Sequence, residues 1–224
     1  MNITTKTNNF QFYEANIIDP VKLEKDIDDN RCNLETCEPG FFNDVYVPAE
    51  ETRLTGFKEI LTQELEALED GKVQTVKHSI VEEAHLVIFK NFIVAFGKNK
   101  AINSAFRLLE RLTRYEIKPL FISPERLFKT SKHMAFIKTM GFDHMEHPTV
   151  KKLRFDGKME TLSDIAPFHN YTSNMRNFKG VMNTPHGIRT FKISVNGKIQ
   201  ISKKKEEDLD TELFKWVYNF VKTI

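Results

Sequence analysis

Residues 52–69 read TRLTGFKEILTQELEALE, and the reading of this stretch decides the fold class. Leu54, Phe57, Leu61, Leu65 and Leu68 fall at steps of three and four, the spacing that gathers side chains on one face of a helix. Glu59, Glu66 and Glu69 take the outer face, and Gly71 stands just past the end as a stop. The spacing therefore predicts an amphipathic helix over 52–69. Set among strands on both sides, it makes the expected class α+β: a mixed or antiparallel sheet with flanking helices, closed by a C-terminal amphipathic helix.

Working outward toward the N-terminus, 31–50 reads as a loop with a little extended structure. Asp19-Pro20 opens a short helix through about Asn30, and NFQFYEANII (9–18) alternates as a strand. Toward the C-terminus, 73–81 and 85–97 read as strands turning at Lys90-Asn91, with Phe92 to Phe96 buried on both faces. A helix over 99–115 turns Ala101, Ile102, Ala105, Leu108, Leu109 and Leu112 inward, and Ile117 to Ile122 is a short strand. Ser123 caps a further helix, Pro124 occupies its first turn, and Gly141 ends it. A strand over 149–155 runs into an Asp156-Gly157 turn, and 160–176 is irregular.

The most specific local signal is IRTFKISVNGKIQISK, 188–203. A two-residue Asn196-Gly197 loop would set Ile193 opposite Gln200 and mix the faces. A three-residue loop with Gly197 in the left-handed region sets Ile193 opposite Ile199 and Phe191 opposite Ile201, separating apolar from polar. The second register is the one expected. A final helix over 207–223 lines up Leu209, Leu213, Trp216, Val217 and Phe220.

Composition narrows the class. With 224 residues, 40% hydrophobic and 29% charged, the chain can bury a sizeable core and is not disordered. Nothing in MNITTKTNNFQF resembles a signal peptide, and the longest apolar run, Phe92 to Phe96, cannot cross a bilayer. Cys32 and Cys37 are the only cysteines, so no disulfide framework is expected and the thiols are read as free. The expected location is the cytoplasm, and no membrane partner is expected.

A formal charge of +2 conceals a division. Residues 1–70 carry 6 basic and 16 acidic residues; 71–205 carry 25 and 10; 206–224 carry 2 and 5. The chain is accordingly divided into an acidic N-terminal subregion, 1–71, and a basic domain, 72–224.

Sequence motifs exclude more than they assign. Neither a phosphate-binding glycine loop nor a Gly-x-Ser-x-Gly elbow occurs. Asp143-His144-Met145-Glu146-His147 offers four potential ligands in five residues, but not the i,i+4 histidine pair that a helical zinc site needs. It reads as a surface turn. Asp156, Lys158 and Glu160 form the nearest approach to a metal-dependent nuclease, yet further carboxylates are wanting. No cofactor and no metal is expected, and no catalytic residue is assigned.

Cations are better organised. Lys100, Arg107, Arg111 and Arg114 recur at steps of seven, four and three, opposite the apolar face of helix 99–115. Lys129 and Lys132 follow on the next helix, then Lys151, Lys152 and Arg154 on a strand. A cationic stripe on a rigid helix suits a phosphate backbone, because each neutralised phosphate releases condensed counterions. Against this, Glu110 stands within ion-pairing reach of Arg107 and Arg114, and the acidic N-terminal part could neutralise the basic region internally.

The run Ile80 to Leu120 (strand, strand, helix with Arg107-Leu108-Leu109-Glu110-Arg111-Leu112, strand) resembles bacterial recombination-associated proteins that ring duplex DNA. It resembles them in pattern, without a shared motif and over under a quarter of the chain, so no residue role is carried across. The expected function is a non-enzymatic accessory protein of nucleic acid, DNA before RNA, in a mobile element, recombination or phage-defence system. The alternative is a protein–protein adaptor, or a homo-oligomer, using complementary charge; a metal-dependent nuclease ranks third.

Overall fold

The computed structural model describes residues 2–3, 8–15, 19, 21–69, 72–143, 151–203 and 208–224. The elements run β1 (Asn2–Ile3), β2 (Asn9–Ala15), α1 (Leu23–Asp28), β3 (Gly40–Val47), β4 (Thr52–Glu69), β5 (Lys72–Ile88), β6 (Phe92–Gly97) and α2 (Asn99–Thr113). After them come β7 (Ile117–Pro119), α3 (Pro124–Ser131), β8 (Phe136–Asp143), β9 (Lys152–Met159), α4 (Leu162–Ile165) and β10 (Met175–Thr184). The chain ends with β11 (Gly187–Ser194), β12 (Lys198–Ile201), β13 (Leu209–Asp210) and α5 (Thr211–Thr223). Two compact units are built from these, one of residues 14–118 and one of 1–13 with 119–224.

The expected α+β class is corrected: the protein is mainly β, its strands antiparallel and its helices few and short. Stretch 52–69 is the principal cause, for it is not a helix but strand β4. Between Thr52 and Phe57 the chain is covered on both faces, with Thr52, Arg53, Thr55, Gly56 and Phe57 buried and Leu54 half-buried. A surface helix could bury only one stripe. β3 hydrogen-bonds along one edge of β4 from Thr52 to Lys58, and β5 along the other from Arg53 to Glu69. Helix propensities differ by less than about 1 kcal/mol per ordinary residue, too little to outweigh that burial. Gly56 has a steric reason, since a Cβ there would lie 2.4 Å from the Phe42 ring.

In unit 14–118 the strand order is β3-β4-β5-β6, antiparallel throughout. Helix α2 packs on β4, β5 and β6, and α1 on β3. Phe41 and Phe57 meet edge to face at 5.3 Å in its core. A buried ion pair joins Asp44 of β3 to Arg53 of β4. The change of charge between 71 and 72 falls between two strands paired along their whole length, Glu69 opposite Lys72.

The other unit holds the order β2-β12-β11-β10-β8-β9. Its β11–β12 hairpin has the expected three-residue loop, with Ile193 opposite Ile199, Phe191 opposite Ile201, and Gly197 at φ +70°. Phe191, Ile193, Ile199 and Ile201 are all buried. Helix α5 buries Leu213, Phe214, Val217 and Val221, and Phe214 meets Phe10 edge-on at 5.0 Å. Ser123 caps α3 as expected, accepting from the Arg126 N–H at 3.2 Å.

Two further expectations fail in this unit. Helix α3 stops at Ser131 rather than Gly141, and 136–143 is strand β8 between β10 and β9. The aromatic and β-branched run Phe136-Ile137-Lys138-Thr139 carried that signal. Asp156-Gly157 is not a hairpin turn either. Ile137 pairs with Met159 and Thr139 with Asp156, so Gly157 and Lys158 together oppose Lys138 in a bulge.

Candidate nucleic-acid interface

Helix α2 owes its form to a clean two-sided pattern. Ala101, Ile102, Ala105, Phe106 and Leu109 are buried against the sheet, at helical spacing. Lys100, Asn103, Arg107, Arg111 and Arg114 are exposed on the opposite side. With a rise of about 1.5 Å per residue, Lys100 and Arg114 bound a stripe roughly 21 Å long.

At the C-terminal end, local hydrogen bonds hold the arginines on fixed backbone. Arg114 takes the left-handed conformation at φ +58°, and its N–H donates to the Glu110 carbonyl at 2.8 Å. Thr113 Oγ1 donates to the Leu109 carbonyl at 2.7 Å. Arg111 and Arg114 also lie where the helix macrodipole favours cations, a structural reason for them that needs no ligand.

Among the described residues, Glu110 makes no ion pair with the stripe. Its Oε1 accepts from the backbone N–H of Ile117 at 2.9 Å, tying down the chain that leaves the helix. Among the described residues, none of Lys100, Arg107, Arg111 and Arg114 makes an ion pair. Between β4 and β5 the cation comes from the acidic strand: Lys58 of β4 pairs with Glu83 of β5 at 3.5 Å.

The remaining candidates belong to the other unit and are less available. Lys129 is exposed, but Lys132 is half-buried with Nζ 5.0 Å from the Phe128 ring centroid. Lys151 and Lys152 are exposed before and at the start of β9. Arg154 is engaged by Asp156, with Nη2 at 2.8 Å and Nε at 3.1 Å from the same Oδ1. The structure thus gathers four of the nine candidate cations on one helix face and places the other five on α3 and β9 and beside them. Reading the sequence for charge alone passed over Asn103, which stands between Lys100 and Arg107, and Tyr115, exposed directly after Arg114. Neutral hydrogen-bonding and aromatic side chains within a cationic stripe were the available signal.

The two metal candidates have separate outcomes. Residues 144–147 lie outside the described residues, while Asp143 faces Arg176 at 3.7 Å. Asp156 of β9 is held by Arg154, and Glu160 just beyond the strand pairs with Lys158, so both carboxylates are matched to neighbouring cations. Among the described residues no three potential metal ligands converge. Cys32 and Cys37 are unbridged, and among the described residues no helix is long and apolar enough to cross a membrane.

The chain matches no protein-family model, and no curated protein is similar to it in sequence.

Proposed function

We propose that the protein is a nucleic-acid-associated accessory protein whose helix α2 lies along a phosphate backbone. The observation that carries this reading is the exposed row Lys100, Arg107, Arg111 and Arg114, unneutralised among the described residues, with the one acid of the helix turned away to the Ile117 N–H. Guanidinium groups recognise phosphate oxygens in a bidentate manner, and a rigid helix presents them without much ordering cost. DNA is the ligand to test before RNA. An adaptor that docks the same helix on an acidic protein is the second reading, and it draws on the same four cations.

Fluorescence anisotropy titrations against duplex DNA, single-stranded DNA and RNA, each at two salt concentrations, test the reading. Affinity should fall as salt rises, and Arg107→Gln/Arg111→Gln/Arg114→Gln should flatten the log K against log salt slope by roughly two to three on duplex. The folded state should persist, since exposed charges contribute about 0–1 kcal/mol each. Absence of binding by the unaltered protein at about 50 mM salt overturns the proposal.

A further inference from the structure

Strands β4 and β5 continue as a pair well past the strands that flank them. β3 leaves β4 at Lys58, and β6 joins β5 only from Ala84 onward. Between these limits the register runs unbroken from Glu59 opposite Glu82 to Glu69 opposite Lys72, eleven pairs. At about 3.4 Å per residue this is a two-stranded ribbon some 37 Å long. Such a ribbon is marginal by itself in water, and a strand edge left unpaired is a template for a further strand. Among the described residues no strand pairs with either edge.

The two edges differ in charge. The β4 edge carries Glu59, Glu64, Glu66 and Glu69 and no cation, which opposes its pairing with a second copy of itself. The β5 edge carries both signs. Which of its backbone groups face outward follows from one bond: the Lys98 N–H donates to the Glu83 carbonyl at 2.9 Å, on the side away from β4. Backbone direction alternates along an antiparallel strand, so Val73, Thr75, Lys77, Ser79 and Val81 face the same way. Val81 is also a large apolar residue left 43% exposed at this edge.

We propose that the β5 edge, residues 72–82, pairs antiparallel with the same edge of a second copy about a two-fold axis at Lys77. In this register Lys72 stands opposite Glu82, Val73 opposite Val81 and Thr75 opposite Ser79, and every outward-facing residue meets another outward-facing residue. Opposite charges meet twice, valines meet twice, and the five outward amides of each copy find carbonyl acceptors. The arrangement closes on itself, as a two-fold dimer must. Only the axial position is unfavourable, with Lys77 opposite Lys77.

Analytical ultracentrifugation of the full chain across a concentration series, with amide hydrogen exchange, tests the pairing. The unaltered protein should dimerise, and the amides of Val73, Thr75, Lys77, Ser79 and Val81 should gain protection as concentration rises. Thr75→Pro removes an outward donor without touching the bonds to β4 and should abolish the dimer. Lys72→Glu should weaken it roughly tenfold, and Lys72→Glu/Glu82→Lys should restore it. Lys77→Thr, which removes the axial repulsion, should tighten it several-fold. A monomer at every soluble concentration, or a dimer indifferent to both Thr75→Pro and Lys77→Thr, overturns the proposal.

Discussion

Hairpin β11–β12 and ribbon β4–β5 are both antiparallel pairs, but only the hairpin can be read from its sequence. The hairpin buries one face and wets the other, so Phe191, Ile193, Ile199 and Ile201 alternate with Lys192, Lys198 and Gln200. Its turn demands a left-handed residue, and Gly197 supplies it. Alternation and turn chemistry agree on a single register. The ribbon offers neither signal. Its root is covered on both faces and does not alternate, while Leu61, Leu65 and Leu68 happen to keep helical spacing. Periodicity reports a strand only where burial is one-sided.

The largest expected effect tests what anchors the ribbon. Arg53 and Asp44 have side chains 1% and 6% exposed, and burial raises the Asp44 carboxyl more than Arg53 lowers it. Asp44→Ala would strand a buried guanidinium, and chemical denaturation should show a loss of about 3–5 kcal/mol. Asp44→Leu/Arg53→Met, which removes both charges, should cost much less. A similar loss in both variants would mean that packing, rather than the charge pair, holds the root.

An intermediate effect sets the two regions side by side through their glycines. A Cβ at Gly197 would lie 2.4 Å from the Leu120 carbonyl oxygen, and φ there is +70°. Gly197→Ala should therefore cost about 2–3 kcal/mol, combining strain with a backbone collision. At Gly56 the obstacle is the Phe42 ring, which can swing aside, so Gly56→Ala should cost about 1–2 kcal/mol. Thermal melts of the two variants compare them directly, and a reversed order would contradict this account of the turn.

The smallest effect is a pH dependence near the root of the ribbon. His85 stacks on Phe96 at 5.2 Å with Phe42 edge-on at 5.9 Å, and desolvation lowers its pKa from the ordinary 6.5. The folded state then binds the proton less readily than the unfolded chain. Its contribution is intact above pH 6.5 and declines as pH falls from there toward the lowered value. His85→Phe should flatten the melting temperature across that interval. An unchanged slope would assign the acid sensitivity to other groups.

Legibility of the candidate site follows the same division. The stripe on α2 is visible because its four cations and its five buried residues share one local period. Glu110 in the sequence looks like a partner for Arg107 and Arg114; its bond to Ile117 depends on how the chain leaves the helix. Arg154 looks like a free cation until the bulge at Gly157 and Lys158 is seen beside its partner Asp156.

By itself the sequence determined α2, the Ser123 cap, the β11–β12 register and α5 from Thr211 onward, though not that Leu209 lies in strand β13 before that helix, because each rests on interactions within a few residues. A helix closes its hydrogen bonds four residues away, and a tight hairpin carries both strands and turn in one segment. Only the tertiary structure decided that 52–69 and 136–143 are strands, and hence that the class is mainly β. A strand has no hydrogen-bonding partner of its own, and β8 finds one partner in β10, some forty residues further along the chain. Where that partner is remote, local propensity is outweighed by burial and pairing that no local window of sequence contains.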